Sequence, residues 1–258
     1  MRIITLNLNG IRSAQRKGFF IWLAKQRADI VCLQEIKAQQ EQINQELFCP
    51  PGYFCYFTQA EKKGYSGVGI YSRHKPKKVI SKLGLAIADQ EGRFLQLDFP
   101  SLSVVSLYMP SGTTGEHRQA IKYKFMAYFE HTLQKMRASK RHFVICGDWN
   151  IAHKQIDLKN WRGNQKHSGF LPRERAWLDK VLDEKGWMDA FRVVNQKPDQ
   201  YTWWSNRGQA WAKNVGWRID YQMITPNLRD KVKAARIYKE QRFSDHAPLI
   251  MDYDWDIT

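Results

Sequence analysis

The stretch Phe143-Val144-Ile145-Cys146-Gly147-Asp148-Trp149-Asn150 decides how the fold is read. Its first half is a short, unbroken apolar run, the pattern of a strand buried on both faces. Its second half turns polar at once. Asp29-Ile30-Val31-Cys32-Leu33 repeats the pattern and ends in Gln34-Glu35. Ile3 to Leu8 is a third strand, ending in the polar loop Asn7-Leu8-Asn9-Gly10. Outward from these, strands are expected at Phe54 to Phe57, Gly67 to Ser72, Phe94 to Phe99 and Val104 to Tyr108. Trp217 to Ile224 and Ala234 to Tyr238 complete the set. Helices are expected around Phe19 to Arg27, over Glu116 to Met136, and from Pro172, with Glu174 in the first turn, to Gly186. Strands outnumber helices, and both run the whole length without a Pro/Ser-rich linker or a fixed-period repeat. The expectation is one mixed α/β domain over residues 1–258, of packed sheets flanked by helices.

Composition narrows the class. The 258 residues carry 41 Lys plus Arg against 25 Asp plus Glu, a net charge of +16, with 43% hydrophobic and 26% charged residues. This excludes disorder, collagen and low complexity. It also suits a polyanionic partner, nucleic acid before anionic lipid or acidic protein. The four cysteines, Cys32, Cys49, Cys55 and Cys146, show no CxxC spacing and no accompanying His cluster. All four are expected to be reduced, as in a cytosolic protein. Met1 leads directly into a strand pattern, so no signal peptide is expected, and no apolar run approaches membrane-spanning length.

The chemistry lies where strands end. Asn7, Gln34-Glu35, Tyr108, Asp148 with Asn150, Asp220, and Asp245-His246 are polar groups at strand ends scattered along the chain, and ligand sites in α/β sheets lie beyond such ends. Glu35, Asp245 and the Asn7 carbonyl are hard oxygen donors that suit Mg²⁺, whereas zinc is disfavoured by the lack of thiolate and His spacing. Asp148 and Asn150 share a face if the strand continues through them. Asp148 would then orient and deprotonate water while Asn150 donates to phosphate. A protonated His246, oriented by Asp220, would stabilise negative charge, and Tyr108 would donate to a phosphate oxygen. Together these parts serve phosphodiester hydrolysis.

Singly, each residue has a structural explanation. Asn7 and Asp148 can close Asx turns, Glu35 can pair with Lys37, and Tyr108 can be a core ring. Asp220 can pair with Arg218, and His246 can be a buried hydrogen-bonded imidazole. Only the joint pattern favours catalysis. The segment from Tyr201 to Arg218 adds Trp203, Trp204, Trp211 and Trp217 among cations. Such rings suit base stacking or a pocket for a flipped nucleotide, with core packing expected for at least one of them. Lys62-Lys63-Gly64-Tyr65-Ser66-Gly67 and Arg118 to Lys124 suit phosphate contacts, or are simply solvated faces.

Seven ordered segments then carry a resemblance: Asn7-Leu8-Asn9-Gly10-Ile11-Arg12, Leu33-Gln34-Glu35-Ile36-Lys37, Tyr65-Ser66-Gly67-Val68, Tyr108-Met109-Pro110-Ser111-Gly112, Gly147-Asp148-Trp149-Asn150, Trp217-Arg218-Ile219-Asp220-Tyr221 and Ser244-Asp245-His246-Ala247-Pro248. In order and spacing the chain resembles the exonuclease III family of apurinic/apyrimidinic endonucleases along its whole length. The resemblance implies a four-layer α/β sandwich of two packed mixed β-sheets flanked by helices. It implies Mg²⁺-dependent incision 5′ to an abasic site, with Mn²⁺ as a substitute, together with 3′–5′ exonuclease and 3′-repair phosphodiesterase or phosphatase activity. By the same resemblance Glu35 is the principal metal ligand, with Asn7, Asn9 and Asp245 near the metal, and Asp148 prepares the water. Asn150, Tyr108 and His246 contact the scissile phosphate, and Asp220 orients His246. Trp203, Trp217 and Ile219 line the pocket for the flipped sugar, Asn164 meets the DNA backbone, and Arg12, Tyr65 and Lys213 are further DNA contacts. Two departures stand out. His167 occupies a place where relatives more often carry Asn or Cys, which would shift the balance toward 3′-end processing. Trp203 is larger than the Phe of some relatives.

The implied partner is double-stranded DNA with abasic sites, nicks or recessed 3′ ends, met by a monomer in the cytoplasm at the nucleoid, with no membrane. A lipid phosphodiesterase or secreted nuclease of the same superfamily is opposed by the basic charge, the Trp-rich segment and the absent signal. A DNA-binding protein without catalysis has no use for Glu35, Asp148, Asp220, Asp245 and His246 together.

Overall fold

The computed structural model describes residues 1–43 and 48–257. One six-stranded sheet runs in the order β13 (Val232–Ile237), β14 (Leu249–Tyr253), β1 (Arg2–Asn7), β2 (Ile30–Gln34), β4 (Val68–Ser72), β3 (Phe54–Thr58). The other runs β5 (Lys78–Ile80), β6 (Phe94–Asp98), β7 (Leu102–Tyr108), β8 (His142–Asp148), β12 (Asp220–Ile224), β9 (Met188–Asp189). A small ribbon, β10 (Trp203–Trp204) with β11 (Gly216–Trp217), stands apart from both.

The unbroken apolar runs are explained by alternation. In β2, Ile30 and Cys32 face the second sheet, while Val31 and Leu33 face helices α1 (Ile11–Arg16) and α2 (Phe19–Ala24). In β8, Val144 and Cys146 meet the first sheet. Phe143 and Ile145 face the long helix that follows β7, Glu116–Ala138, and the helix Pro172–Asp179. With α3 (Ala86–Gln90) counted earlier in the chain, these two are α4 and α6, separated by the short α5 (Trp161–Asn164). Each buried strand thus feeds two cores, because successive side chains leave opposite faces. The result is four layers, helix, sheet, sheet and helix, as the family resemblance implies.

Register puts the polar strand ends on one edge. β1 and β2 are parallel, with Asn7 opposite Gln34, and β7 and β8 are parallel, with Tyr108 opposite Asp148. Asp220 and Asp245-His246 correct the expectation of strand ends: Asp220 begins β12, and His246 precedes β14. Both strands run antiparallel to their neighbours, with Asp220 opposite Asp148, so their beginnings reach the edge where the others finish.

Other expectations are also corrected. β14 was not expected, although it sits between β13 and β1 inside its sheet. Trp217 to Ile224 is two strands rather than one. The chain breaks at Arg218-Ile219, where the Arg218 amide donates to Asp157 O at 2.8 Å and the guanidinium turns inward. The helix from Pro172 loosens into a π-helical turn over Lys180–Glu184 before Gly186. Cys49 and Cys55 form a disulfide, against the expectation of four thiols. The Pro50-Pro51-Gly52 turn, with Gly52 at φ +83°, folds them back to a Cα separation of 5.8 Å. Cys32 and Cys146 are free and buried between the sheets. No helix among the described residues is long and apolar enough to cross a membrane.

Candidate active site

The common strand edge opens into a cleft of about 240 Å³ that includes Glu35, Tyr108, Asp148, Asn150, Asp245 and His246 in its lining. Glu35 is aimed by its backbone. β2 ends at Gln34, and Glu35 then takes φ +49°. A non-glycine residue in that conformation costs on the order of 1 kcal/mol or more and is held by its surroundings. Tyr108 Oη and Asn7 Nδ2 both donate to Glu35 Oε1, each at 2.8 Å, and Lys37 Nζ lies 2.7 Å from Oε2. Burial would raise the Glu35 carboxyl, but Lys37, with Asn7 and Tyr108, outweighs it and holds the group below the usual carboxylate range.

Asn7 is a hinge between carboxylates, because the same Nδ2 donates to Asp148 Oδ2 at 3.0 Å. Its Oδ1 accepts the Asn9 amide at 3.0 Å. Asp148 closes β8, and its Oδ1 accepts the Asn150 amide at 2.8 Å. The Asx turn and the site placement are therefore both true of Asp148. The strand does not continue, as Asn150 has φ +52°. The turn instead lets Asn150 Nδ2 donate to Met109 O at 2.8 Å while the residue lines the cleft.

His246 completes the floor. Its Nδ1 is 2.9 Å from Asp220 Oδ2, and its Nε2 is 3.8 Å from Asp148 Oδ2. Arg218 turns to Asp157 and Asp189 and leaves Asp220 to the histidine. Burial would lower the imidazole, but Asp220 overrides it and carries His246 up to about 10. Burial pushes Asp148 up to about 7, with Asp220 adding to the rise and His246 opposing it. The floor therefore pairs a carboxylate that titrates near neutrality with a histidine that stays protonated there. The ligand atoms of Asp148, Asp220 and His246 lie within 4.8 Å of one another, a spacing that would suit a metal ion only with His246 deprotonated.

The walls are aromatic. Trp203 and Trp217 pair across the β10–β11 ribbon, with ring centroids 6.3 Å apart, and Ile219 lies beside them. Trp203 Nε1 donates to Asp245 Oδ2 and Asn9 Nδ2 to Asp245 Oδ1, both at 3.0 Å. Trp204 is buried against Tyr201 and Ala210, so core packing claims one of the four tryptophans, as expected.

Several expected contacts lie outside the cleft. Arg12 is exposed on α1, and Lys213 is exposed in the loop before β11. Asn164 Nδ2 donates to Asn160 O at 2.8 Å at the end of α5. The Tyr65 hydroxyl accepts from Arg93 Nη2 at 3.1 Å and Arg118 Nη2 at 3.0 Å. His167 is exposed, one residue before Ser168 and Gly169, which do line the cleft. The sequence reading missed Ser168, Gly169, Ser111 and Thr113 as lining residues. Small and hydroxylic residues in loops carry no distinctive signal. It also treated Lys37 only as a surface partner, whereas Lys37 Nζ reaches both Glu35 and Asn9 Oδ1, the latter at 2.6 Å.

Residues 4–246 match the pattern of the endonuclease/exonuclease/phosphatase family. The chain belongs to this family. The exodeoxyribonuclease of Bacillus subtilis strain 168 is 38% identical over 255 residues, covering 96% of this chain and 98% of that protein. Among solved structures, an AP endonuclease from Archaeoglobus fulgidus superposes with a TM-score of 0.90 at 28% identity, over 99% of this chain and 100% of that one. A 3′ phosphatase from Neisseria bound to a product DNA hairpin does so with a TM-score of 0.90 at 26% identity, over the same shares. The resemblance to exodeoxyribonucleases and AP endonucleases is thereby borne out, and this family member is a phosphodiester hydrolase.

Proposed function

We propose that this phosphodiester hydrolase is a Mg²⁺-dependent DNA repair enzyme, with Mn²⁺ as a substitute. It cuts the backbone 5′ to abasic sites and removes nucleotides or blocking groups from 3′ ends. It acts as a monomer through one catalytic domain spanning residues 1–258. The observation that carries this reading is the meeting of Glu35, Tyr108, Asp148, Asn150 and His246 in one cleft beneath Trp203 and Trp217. A +16 chain supplies the attraction for DNA. A DNA substrate puts the enzyme in the cytoplasm at the nucleoid, where the Cys49–Cys55 disulfide meets a reducing environment.

The donor set fits a hard cation. The Lys37 ammonium bridges Glu35 Oε2 and Asn9 Oδ1, standing where oxygen ligands converge. Glu35 is held in its charged form. Glu35 would be the principal ligand, with Asn9 and Asp245 beside it and Asn7 steering Glu35 and Asp148 from behind. Bound there, Mg²⁺ would supply neutralising charge to the scissile phosphate. Asp148 takes a proton from water, its raised affinity making it a usable base near neutral pH. His246, kept protonated by Asp220, donates to the phosphate as charge builds, while the second amide proton of Asn150 and the Tyr108 hydroxyl, turned from Glu35, donate to the other phosphate oxygens. Trp203, Trp217 and Ile219 form the pocket for the extruded sugar. Arg12, Tyr65, Asn164, His167 and Lys213 line the approach of the duplex.

The test is cleavage of a labelled duplex with one central abasic-site analogue, with Mg²⁺ and with EDTA, beside a nicked duplex with a blocked 3′ end. Mg²⁺-dependent incision 5′ to the analogue is expected. Failure to cut either duplex would overturn the reading. A second reading, a 3′-end processor with weak abasic-site incision, is favoured by His167, exposed and next in sequence to the cleft-lining Ser168, and by the similarity to the Neisseria 3′ phosphatase. Under that reading the nick alone is processed, and His167→Asn raises incision relative to end processing. An unchanged ratio removes His167 from the explanation.

A further inference from the structure

Lys122 and Glu174 form an ion pair that the catalytic reading does not use. Both side chains are fully buried, with Nζ and Oε1 2.6 Å apart. Lys122 shares the apolar face of α4 with Phe125, Met126 and Phe129. A pair of apolar side chains would serve that core as well or better, since a buried ion pair contributes little net stability. What the pair touches is more telling. Glu174 Oε2 accepts the backbone amides of Gly169 at 2.7 Å and Leu171 at 3.0 Å. Its Oε1 accepts from Gln119 Nε2 at 3.1 Å and Ser168 Oγ at 3.3 Å. Lys122 Nζ spends a second proton on Asn150 O at 2.8 Å.

We propose that Lys122 and Glu174 are positioning residues that clamp the Ser168–Leu171 loop to the Asp148–Asn150 turn and so set the wall of the cleft. Ser168, Gly169 and Asn150 all line that cleft. The fit between the segments has no slack. Gly169 stands at φ +96°, and a Cβ there would lie 3.2 Å from Asn150 O and 3.2 Å from the Trp217 ring. The Ala152 amide closes the same junction by donating to Gly169 O at 2.8 Å. Neither charged group reaches the cleft itself. Their action passes through the Asn150 carbonyl and the Gly169 amide, which fix where the Asn150 side chain and the Trp217 ring stand. Glu174 at the third position of α6 also serves as an ordinary helix-start acid by capturing the Leu171 amide. That local role is how the sequence presents it, and it hides the distant one.

The proposal rests on the hydrolase site described above, and its test separates the two. Glu174→Gln and Lys122→Met are compared with the wild-type enzyme on the abasic and the 3′-blocked duplexes. Assays run well below the melting temperature and are normalised to folded protein. Displacement of reacting groups by about 1 Å can cost on the order of 100-fold, so at least about a 10-fold fall in kcat with little change in KM is expected for both variants. Amide hydrogen exchange gives a readout that needs no activity. Gly169 and Leu171 should exchange faster in Glu174→Gln while β7 and β8 keep their protection. Wild-type kcat in both variants, or unchanged exchange at Gly169 and Leu171, would overturn the clamp. If Glu174→Gln does not fold, Lys122→Met decides by kcat, since it keeps Glu174 and its contacts to the Gly169 and Leu171 amides while removing the link to Asn150 together with the Lys122–Glu174 ion pair. If the wild-type enzyme cuts neither duplex, the functional reading fails, and the exchange measurement alone judges the clamp.

Discussion

Asp148 and Asp157 are two carboxylates almost equally withdrawn from water, 2% and 1% exposed, yet they sit on opposite sides of the ordinary carboxyl range. Burial acts on both in the same direction. Around Asp157 it is overcome, because Arg218 Nε at 2.8 Å and Arg192 Nη2 at 2.6 Å close on Oδ1. Asp157 is carried down to about 2. Asp189 Oδ2 takes the other end of Arg218 at 2.7 Å, so two acids match two arginines. Around Asp148 the nearest cation is His246 at 3.8 Å, already engaged by Asp220, and Asp148 rises to about 7. The charge-matched network fixes structure behind the Trp217–Ile219 wall. The unmatched one keeps a proton acceptor near neutrality. Excess negative charge in a buried place is a cost that a purely structural site would not keep.

The sharpest way to break this comparison is to remove each carboxylate in turn. Asp148→Asn should lower cleavage of the abasic and 3′-blocked duplexes by roughly 100- to 10,000-fold, the range of a lost general base, while duplex binding persists. Steady-state kinetics and a binding isotherm at one salt concentration separate the two. Cleavage within a few-fold of wild type would mean that Asp148 is not the base and that its raised proton affinity is incidental.

Next in size is Asp157→Asn. It leaves Arg192 without its carboxylate and Arg218 with Asp189 alone, and breaking a buried pair in this way costs about 3–5 kcal/mol. Chemical denaturation should show that loss as a shift in midpoint at unchanged m. The chemistry should remain in the molecules that stay folded. A shift below about 1 kcal/mol would place the pair in the weak class of exposed ion pairs.

How much of this could be read from the chain follows the range of the interactions. The strands were readable because each buried run stops where a polar residue begins, as at Gln34-Glu35 and Gly147-Asp148. Convergence of those ends was only inferable, because register and strand direction are properties of pairs. Asp220 and His246 reach the cleft from strand beginnings, which only antiparallel pairing with β8 and β1 makes possible. β14 went unread although Leu249-Ile250-Met251 is as apolar as its neighbours, because Asp245-His246 reads as the polar end of a strand rather than the approach to one, and Pro248 follows at once. The structural alternative for Asp220, a pair with near-neighbour Arg218, does not form, because the partners of Arg218 lie 61 and 29 positions away, at Asp157 and Asp189. The Cys49–Cys55 bond depends on a Pro-Pro-Gly turn whose direction the composition does not state. Lys122 did leave a signal, a lone cation on the apolar stripe of α4, but its meaning needed Glu174 and Asn150 beside it.

The smallest effect per half-unit step of pH, and the one that sharpens the comparison most, is the pH dependence of stability. Asp157 has a folded value near 2, below its unfolded value near 3.8, so its contribution is fully present above pH 4 and fades as pH falls toward 2. Asp148 has the opposite sign. Its folded value near 7 exceeds the unfolded value near 3.8, so between these limits the folded protein holds the extra proton and stability falls as pH rises. His246, raised to about 10 from 6.5, contributes stability that is complete below pH 6.5 and is lost toward pH 10. The variants should therefore differ in slope as well as in size. Relative to wild type, Asp148→Asn should gain stability steadily from pH 4 to pH 7, as the wild-type carboxyl is forced to ionise. Asp157→Asn should run parallel to wild type over the same interval and converge with it only below pH 4. Melting temperatures of the three proteins at half-unit steps from pH 3 to pH 8 measure this directly. A flat difference for Asp148→Asn across pH 4 to 7 would show that Asp148 is already ionised throughout, and the contrast between the two buried carboxylates would be one of position alone.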